Sequence, residues 1–395
     1  MMNLARKVLR RGRDLLPTAG FHFDQPLVLL QSDDWGRVGV RDHEGLEQLR
    51  AAGVRLGEHP YDFHTLETAE DLGAAIEMLK RHRDYRGRYP CLGMNFVLAN
   101  LDFEKMRTDA FRQIHILPLA DGLPRGWNRP GLMAAYRAGI AEGIFHPALH
   151  GATHFCQTAV ERSLNQDEGR AGLLRTFWQA GTPYIHWRMP WIGYEYWDEE
   201  KPEDQRFLSA ETQRELIGKS VGAFAKLFGA LPRSACAPGY RGNEDTHRAW
   251  AQHGIRVAQN GPGLFAPPHF DRQGLFNVSR SIELEPAVDP NFSLDACMSA
   301  AESRFQRGFP AIISVHSINF HSTLRDFRSS TLRFLDEFLT ALEARHPDLL
   351  YLCDEDIRDL VEKGSYLCPQ GAVQVNAVRR NFTFAQVARQ EKARA

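Results

Sequence analysis

The sequence predicts an α/β protein in which parallel strands are covered by helices, and three observations predict it. Short, nearly all-apolar runs alternate with amphipathic segments; those segments repeat apolar residues at intervals of three and four; polar residues gather where the apolar runs end. Alternation of this kind is what βα units leave in a sequence. At 395 residues and 43% hydrophobic, the chain can fill one large α/β domain or two ordinary ones.

In chain order, the opening "MMNLARKVLRRGRDLLP" carries Arg6, Lys7, Arg10, Arg11 and Arg13 and reads as a short basic helix or arm over residues 1–20. It suits contact with an anionic membrane surface, although a helix packed on the domain or a frayed end is the commoner outcome. No apolar core or small-residue cleavage site follows its charges, so no export leader is predicted, and the expected location is cytoplasmic, with the inner membrane face as the place for any peripheral contact. "PLVLLQS" then predicts a buried strand that ends in Asp33, Asp34 and Trp35. Two adjacent carboxylates repel, so the pair needs a cation, a shared proton or a chemical task. "CLGMNFVLA", "IRVAQN", "PAIISVHS" and "LLYLCDED" are further strands. "DLGAAIEMLKRHRD", "GLMAAYRAGIAEG", "ETQRELIGKSVGAFAKLFG" and "RSSTLRFLDEFLTALEARH" are helices. Residues 176–208, rich in Trp, Tyr and Pro and poor in periodicity, read as a loop insertion whose aromatics either stack on sugar rings or pack the insertion to the body. Beyond about Pro369 the composition turns polar and basic, which predicts a tail over 369–395.

The balance of 48 basic and 49 acidic residues gives no long-range attraction to nucleic acid, and no stretch is long and apolar enough to span a bilayer. The six cysteines are scattered without a C-x-x-C pair, as expected of reduced thiols. Cys156, two residues from a histidine, is expected to be a small buried hydrophobe.

Active sites of this class gather at the C-terminal ends of strands, where "SDDWG", "SACAPGYRGN" and "ISVHSINFHS" fall. In "IFHPALHGATHF", His150 and His154 stand four apart, so on a helix they would share a face and bind one ion. His146 lies four further back, but Pro147 and Gly151 argue against one helix through all three. Two imidazoles and one aspartate make a three-ligand site with an open position for water, whose pKa falls from about 15.7 to roughly 7 on zinc. The second aspartate can then take the proton.

Taken in order, Asp33-Asp34, His150-x-x-x-His154, "APGYRG" and "ISVHS" resemble the motifs of the NodB-like polysaccharide deacetylases, and in particular an uncharacterised polysaccharide-deacetylase-like branch. The resemblance spans roughly residues 25–360. It implies an irregular (β/α) barrel of fewer than eight strands over 21–368, with insertions near 55–125 and 176–208. It implies that Asp33 is the catalytic base, that Asp34, His150 and His154 hold a divalent metal, and that His316 is the general acid. It also implies a backbone N–H near Tyr240 for the oxyanion. The implied activity is removal of N-acetyl, or less readily O-acetyl, groups from a carbohydrate, a polysaccharide or a glycan precursor. Zinc fits the ligand set best; nickel, cobalt and iron suit the same donors.

The chain departs from the family pattern at two places. Ala237 stands where an arginine usually orients the base, leaving Arg241 to reach back to Asp33. The usual acidic partner of the late histidine is missing, leaving Glu283 or Glu285. Trp35, Tyr240 and Arg241 are the expected substrate contacts. His59, Asp62 and His64 in "GEHPYDFHTLET" either extend the groove or satisfy one another on a loop; Asn319 can reach the site, and His321 is expected in solvent. A glycoside hydrolase on the same barrel, or a carbohydrate-binding protein without activity, are the alternatives. The first needs two opposed carboxylates instead of a metal triad.

Overall fold

The computed structural model describes residues 19–262, 266–369 and 371–381. Among them, one sheet has ten strands, of which eight parallel ones make the barrel path: β1 Leu27–Trp35, β2 Leu92–Phe96, β3 Phe145–Leu149, β4 Ser234–Cys236, β5 Val257–Asn260, β6 Phe276–Ser279, β7 Ile282–Glu283 and β8 Ala311–His316. Leu350–Tyr351 adds a short parallel pairing to β1 and His269–Phe270 an antiparallel one to β6. The eight are ordered β7-β8-β1-β2-β3-β4-β5-β6. The two ends of that order are successive stretches of one extended segment. Arg280 N–H donates to Asn260 O of β5, and the next residue, Ser281, donates to Ile312 O of β8. The chain itself therefore closes the sheet, giving an irregular barrel of seven staves with helices such as α1 Ala69–Leu79 and α2 Ala210–Phe228 packed outside.

The interior follows from the two-residue period of a strand. On β1, Leu27 and Leu29 belong to one apolar cluster with Val257, Phe276, Val278 and Ile312, whereas Val28 and Leu30 belong to the larger cluster shared with the helices. Continuing each inward row by two gives Gln31 and Asp33 on β1, Gln259 on β5, Arg280 after β6, and Ser314 and His316 on β8. The barrel is thus apolar at its floor, polar in the middle and charged at the mouth. The polar layer is tied together. Gln259 Nε2 donates to Asp354 Oδ2 at 2.6 Å, Gln31 Nε2 to Asp354 Oδ1 at 2.6 Å, and Asn95 Nδ2 to Gln259 Oε1 at 2.7 Å.

Two expectations about chain organisation change, and a third falls outside the described residues. Residues 55–125 are not one insertion: they hold α1 and the stave β2, so the long gap between Asp34 and His150 is a further β-α-β turn of the barrel with long loops. The tail expected over 369–395 is partly structured. Ser365–Cys368 pairs with Gly371–Gln374, and Ala377–Asn381 pairs antiparallel with Ala19–Phe23, burying Val373 and Val375 against the barrel floor. The basic helix expected at the N-terminus lies outside the described residues. Residues 180–208 form a loop with short 3-10 turns, whereas residues 176–179 of the expected insertion are the last turn of the helix Glu168–Gln179. No described helix is long and apolar enough to cross a membrane.

Candidate active site

Alternation would send Asp33 into the barrel and Asp34 away from it. The backbone prevents this: Asp34 has φ +74°, and the register between β1 and β2 shifts between Ser32 and Trp35. A non-glycine residue in the left-handed region costs of order 1–3 kcal/mol. What that strain achieves is that both carboxylates face the same mouth.

His150 and His154 do not share a helix. His150 directly follows β3, Gly151 turns the chain with φ +80°, and His154 returns from the loop. A Cβ on Gly151 would lie 2.0 Å from Glu195 Oε2, so only glycine fits. Glu195, buried in the 176–208 loop, accepts from the N–H groups of Ala152 (2.9 Å) and Thr153 (3.1 Å) and so holds the segment between the two histidines. His150 Nδ1 donates to Cys236 O at 2.9 Å, which leaves Nε2 for the cavity. Asp34 Oδ1 lies 3.2 Å from His154 Nε2 and 3.7 Å from His150 Nε2, and it is buried with no hydrogen-bond partner. Burial lowers both histidine pKa values, keeping the imidazoles neutral. An unpartnered carboxylate oxygen facing two neutral imidazoles fits a divalent cation. A second cluster, Asp33, His150 and Cys236, fits one poorly: burial pushes the Cys236 thiol well up, and both Asp33 oxygens are engaged.

Asp33 accepts from Arg280 NH2 at 2.5 Å and NH1 at 2.7 Å, and from Asn95 Nδ2 at 2.7 Å. Burial alone would raise its pKa; Arg280, with His150 and His316, holds it far below the usual carboxylate range. The arginine that orients Asp33 is therefore Arg280. Arg241 is exposed and lies over the Trp197 ring at 5.1 Å, away from Asp33. The signal for Arg280 was present in "FNVSRS": a lone charge on the inward row of an apolar strand.

His316 Nδ1 is 2.6 Å from Glu285 Oε1, and its Nε2 is 3.9 Å from Asp33 Oδ2. Asn319 Nδ2 donates to Glu285 Oε2 at 2.5 Å. Burial works against the charged imidazole, but Glu285 outweighs it and raises the pKa to about 9. Of the two candidate acids, Glu285 is thus the partner, and Glu283 is exposed.

The mouth forms a cavity of about 320 Å³. It receives Asp33, Asp34, His150, His154, His316 and Tyr240, and also Arg37, Tyr61, His64, Tyr184, His186, Trp187 and Tyr194. The latter group was not foreseen as a set, because these residues lie on irregular loops. Arg37 matters most. It reaches Asp34 Oδ2 at 3.1 Å and donates to His154 Nδ1 at 3.2 Å. Burial opposes ionisation of Asp34, but Arg37 and the protonated His316 together outweigh it, and the carboxyl is held down to about 2.

Trp35 does not reach the cavity. It is fully buried and packs against Phe320 at 5.3 Å between ring centres, so it is core, not a sugar platform. Tyr240 is at the cavity, with φ +58°, and its hydroxyl accepts from Arg280 NH1 at 2.9 Å. Its N–H donates to Ala237 O at 2.8 Å and so is committed to the turn, which removes that amide as an oxyanion donor. His321 is buried, not solvated, with Nε2 3.5 Å from Glu67 Oε2. Cys156 is buried, as expected.

No protein-family model matches the sequence, and no curated protein matches it. Solved structures do. The chain is similar to a putative polysaccharide deacetylase from Mycobacterium smegmatis, with 12% identity, TM-score 0.45, and 86% of this chain and 90% of that one covered. A putative glycoside hydrolase/deacetylase from Parabacteroides distasonis matches with 10% identity, TM-score 0.46, and 93% and 83% covered. A family 4 carbohydrate esterase from Streptomyces lividans, solved with acetate, matches with 13% identity, TM-score 0.35, and 83% and 92% covered.

Proposed function

We propose that this protein is a metal-dependent hydrolase that removes an N-acetyl group from a carbohydrate. One observation carries the reading. Asp34 Oδ1 and the Nε2 atoms of His150 and His154 converge beside an arginine-held carboxylate, Asp33, and a carboxylate-held imidazole, His316. That is the donor set for a divalent ion with a base on one side and an acid on the other.

Asp34, His150 and His154 would hold the ion, zinc by preference. When bound it supplies Lewis-acid polarisation of the amide carbonyl and a lowered pKa for water. Asp33 is a weak base because Arg280 stabilises its anion, so it serves by orienting the water and receiving a proton already loosened. Its Oδ2 lies towards His316. His316, protonated at neutral pH, donates to the departing nitrogen as the tetrahedral carbon collapses, and acetate and an amine leave. Glu285 and Asn319 fix the ring that makes this donation. With the Tyr240 amide committed elsewhere, the polar side chains at the cavity that could meet an oxyanion include Arg37, Tyr61, Tyr184 and Tyr194.

A glycosidase needs a carboxylic acid with a raised pKa facing a second carboxylate. Glu195 is raised to about 7, but it is turned onto backbone N–H groups and does not line the cavity.

The test is acetate release from N-acetylated sugars by zinc-loaded protein, with and without a strong chelator, and by His150→Ala. Loss of release in both arms is expected. Release that persists in either overturns the reading, and glycan binding with no release from any N-acetylated sugar favours a binding protein.

A further inference from the structure

Two loops that cover the mouth are fastened to each other and to their neighbours. Asp62, fully buried, accepts from Arg188 Nε at 2.8 Å and NH2 at 2.9 Å, and from Trp187 Nε1 at 3.1 Å. This locks residues 57–64 to residues 184–194. On one side Gly39 packs so closely on His64 that a Cβ would lie 2.3 Å from His64 O. On the other, a Cβ on Gly239 would lie 2.2 Å from the Tyr194 ring. The loops that follow β1, β3 and β4 therefore form one continuous wall.

Inside that wall Asp33, Asp34, His150 and His154 are each at most 8% exposed. The cavity, partly open to solvent, holds about 320 Å³, at the low end of the roughly 300–1,000 Å³ of small-molecule sites. The wall is aromatic: Tyr61, Tyr184, His186 and Tyr194 are apolar bodies with polar tips, suited to a sugar ring. Trp187, 40% exposed and 4.6 Å from the His59 ring, marks the outer rim.

An internal unit of a polysaccharide leaves its site in two opposite directions, through both of its glycosidic oxygens. It needs a trench open at both ends. A pocket walled along the loops after β1, β3 and β4 obstructs one of those two directions.

We propose that the cavity takes a single N-acylated amino-sugar unit, free or at a chain end, and excludes internal units of a polymer. The proposal rests on the hydrolase reading above and narrows its substrate. It requires Asp62 and Arg188, remote from the reacting atoms, to act as positioning residues that keep the wall closed.

The experiment uses the full, zinc-loaded chain with methyl glycosides of N-acetylglucosamine and N-acetylgalactosamine and with chitopentaose. Calorimetry gives each Kd, and mass spectrometry locates any unit that loses acetyl. The expected result is at least one monosaccharide bound with a Kd within about threefold of the pentamer's, and acetyl loss at one terminal unit only. Affinity that climbs more than about tenfold with chain length, loss from internal units, or no binding by either monosaccharide overturns the proposal. Flat length dependence without acetate release sinks the hydrolase reading while leaving the pocket intact. Arg188→Ala, checked for folding by circular dichroism, is expected to weaken monosaccharide binding several-fold and to admit internal units. An unchanged profile in the folded variant also counts against the wall.

Discussion

At the residue scale, chemistry here is set by which ion each side chain faces. Glu285 makes His316 a protonated acid at neutral pH, so the alkaline fall of kcat is expected near pH 9. Glu285→Gln removes the stabilising anion and should move that fall to lower pH by a unit or more, which a pH–rate profile reads directly. The same pair stabilises the fold fully below the ordinary histidine value of 6.5, and that contribution is lost as pH rises through about 9. Arg37 acts in the opposite sense on the triad. Its guanidinium sits on Asp34 and on the far nitrogen of His154, where it both repels a cation and favours the tautomer with the proton on Nε2. Arg37→Met is therefore expected to tighten zinc binding by about tenfold or more in chelator competition, a readout independent of turnover.

At the element scale, the two histidines depend on a loop whose shape is imposed from outside. Glu195 accepts two N–H groups between them, and each such bond is worth about 0.5–1.5 kcal/mol. Glu195→Ala should lower the denaturation midpoint and weaken zinc binding together, because the freed segment carries His154. Gly151→Ala should do the same through backbone strain and collision with Glu195. If either folded variant binds zinc as the parent does, the loop is not what aligns the ligands. The strained turn at Asp34 belongs to the same design: strand geometry separates neighbouring side chains, and one left-handed residue brings them back together.

For the molecule as a whole, the barrel interior is a graded column from apolar floor to charged mouth. Asp354 anchors its middle, accepting from Gln31, Ser234 and Gln259, each at 2.6 Å. Gln31 and Gln259 in turn contact Arg280 at 3.2 Å, so the floor of the site is connected to the base. Asp354→Ala strands the Gln31 and Ser234 donors, while Gln259 Nε2 keeps Asn95 Oδ1 and Ser234 Oγ, and should cost about 3–5 kcal/mol in urea unfolding. A loss below about 1 kcal/mol would show that the column relaxes without it.

Much of this was legible in the sequence because strand and helix periods are local. The α/β alternation, the loop character of most of 176–208, and the standing of a carboxylate pair and an imidazole pair at strand ends follow from runs and spacings such as those within "LVLLQSDDWG" and "IFHPALHGATHF", whereas the helix that the histidine spacing predicts does not form and the choice of Asp34 came from the family resemblance. Even Arg280 was readable in principle, two residues beyond Val278 on an inward row. Other features depended on contacts between segments distant in the chain. Trp35 is adjacent to a ligand in sequence yet points into the core, and Arg241 yields to Arg280 because β6 and β7 close the barrel there. The strands at 371–381 look polar because they are edge strands with few inward positions. Sequence alone determined which chemical groups stand at the ends of the strands, since period and composition act along the chain. Tertiary structure alone decided how those groups are paired and walled in, since a carboxylate's proton affinity and a cavity's shape are set by neighbours that only folding brings near.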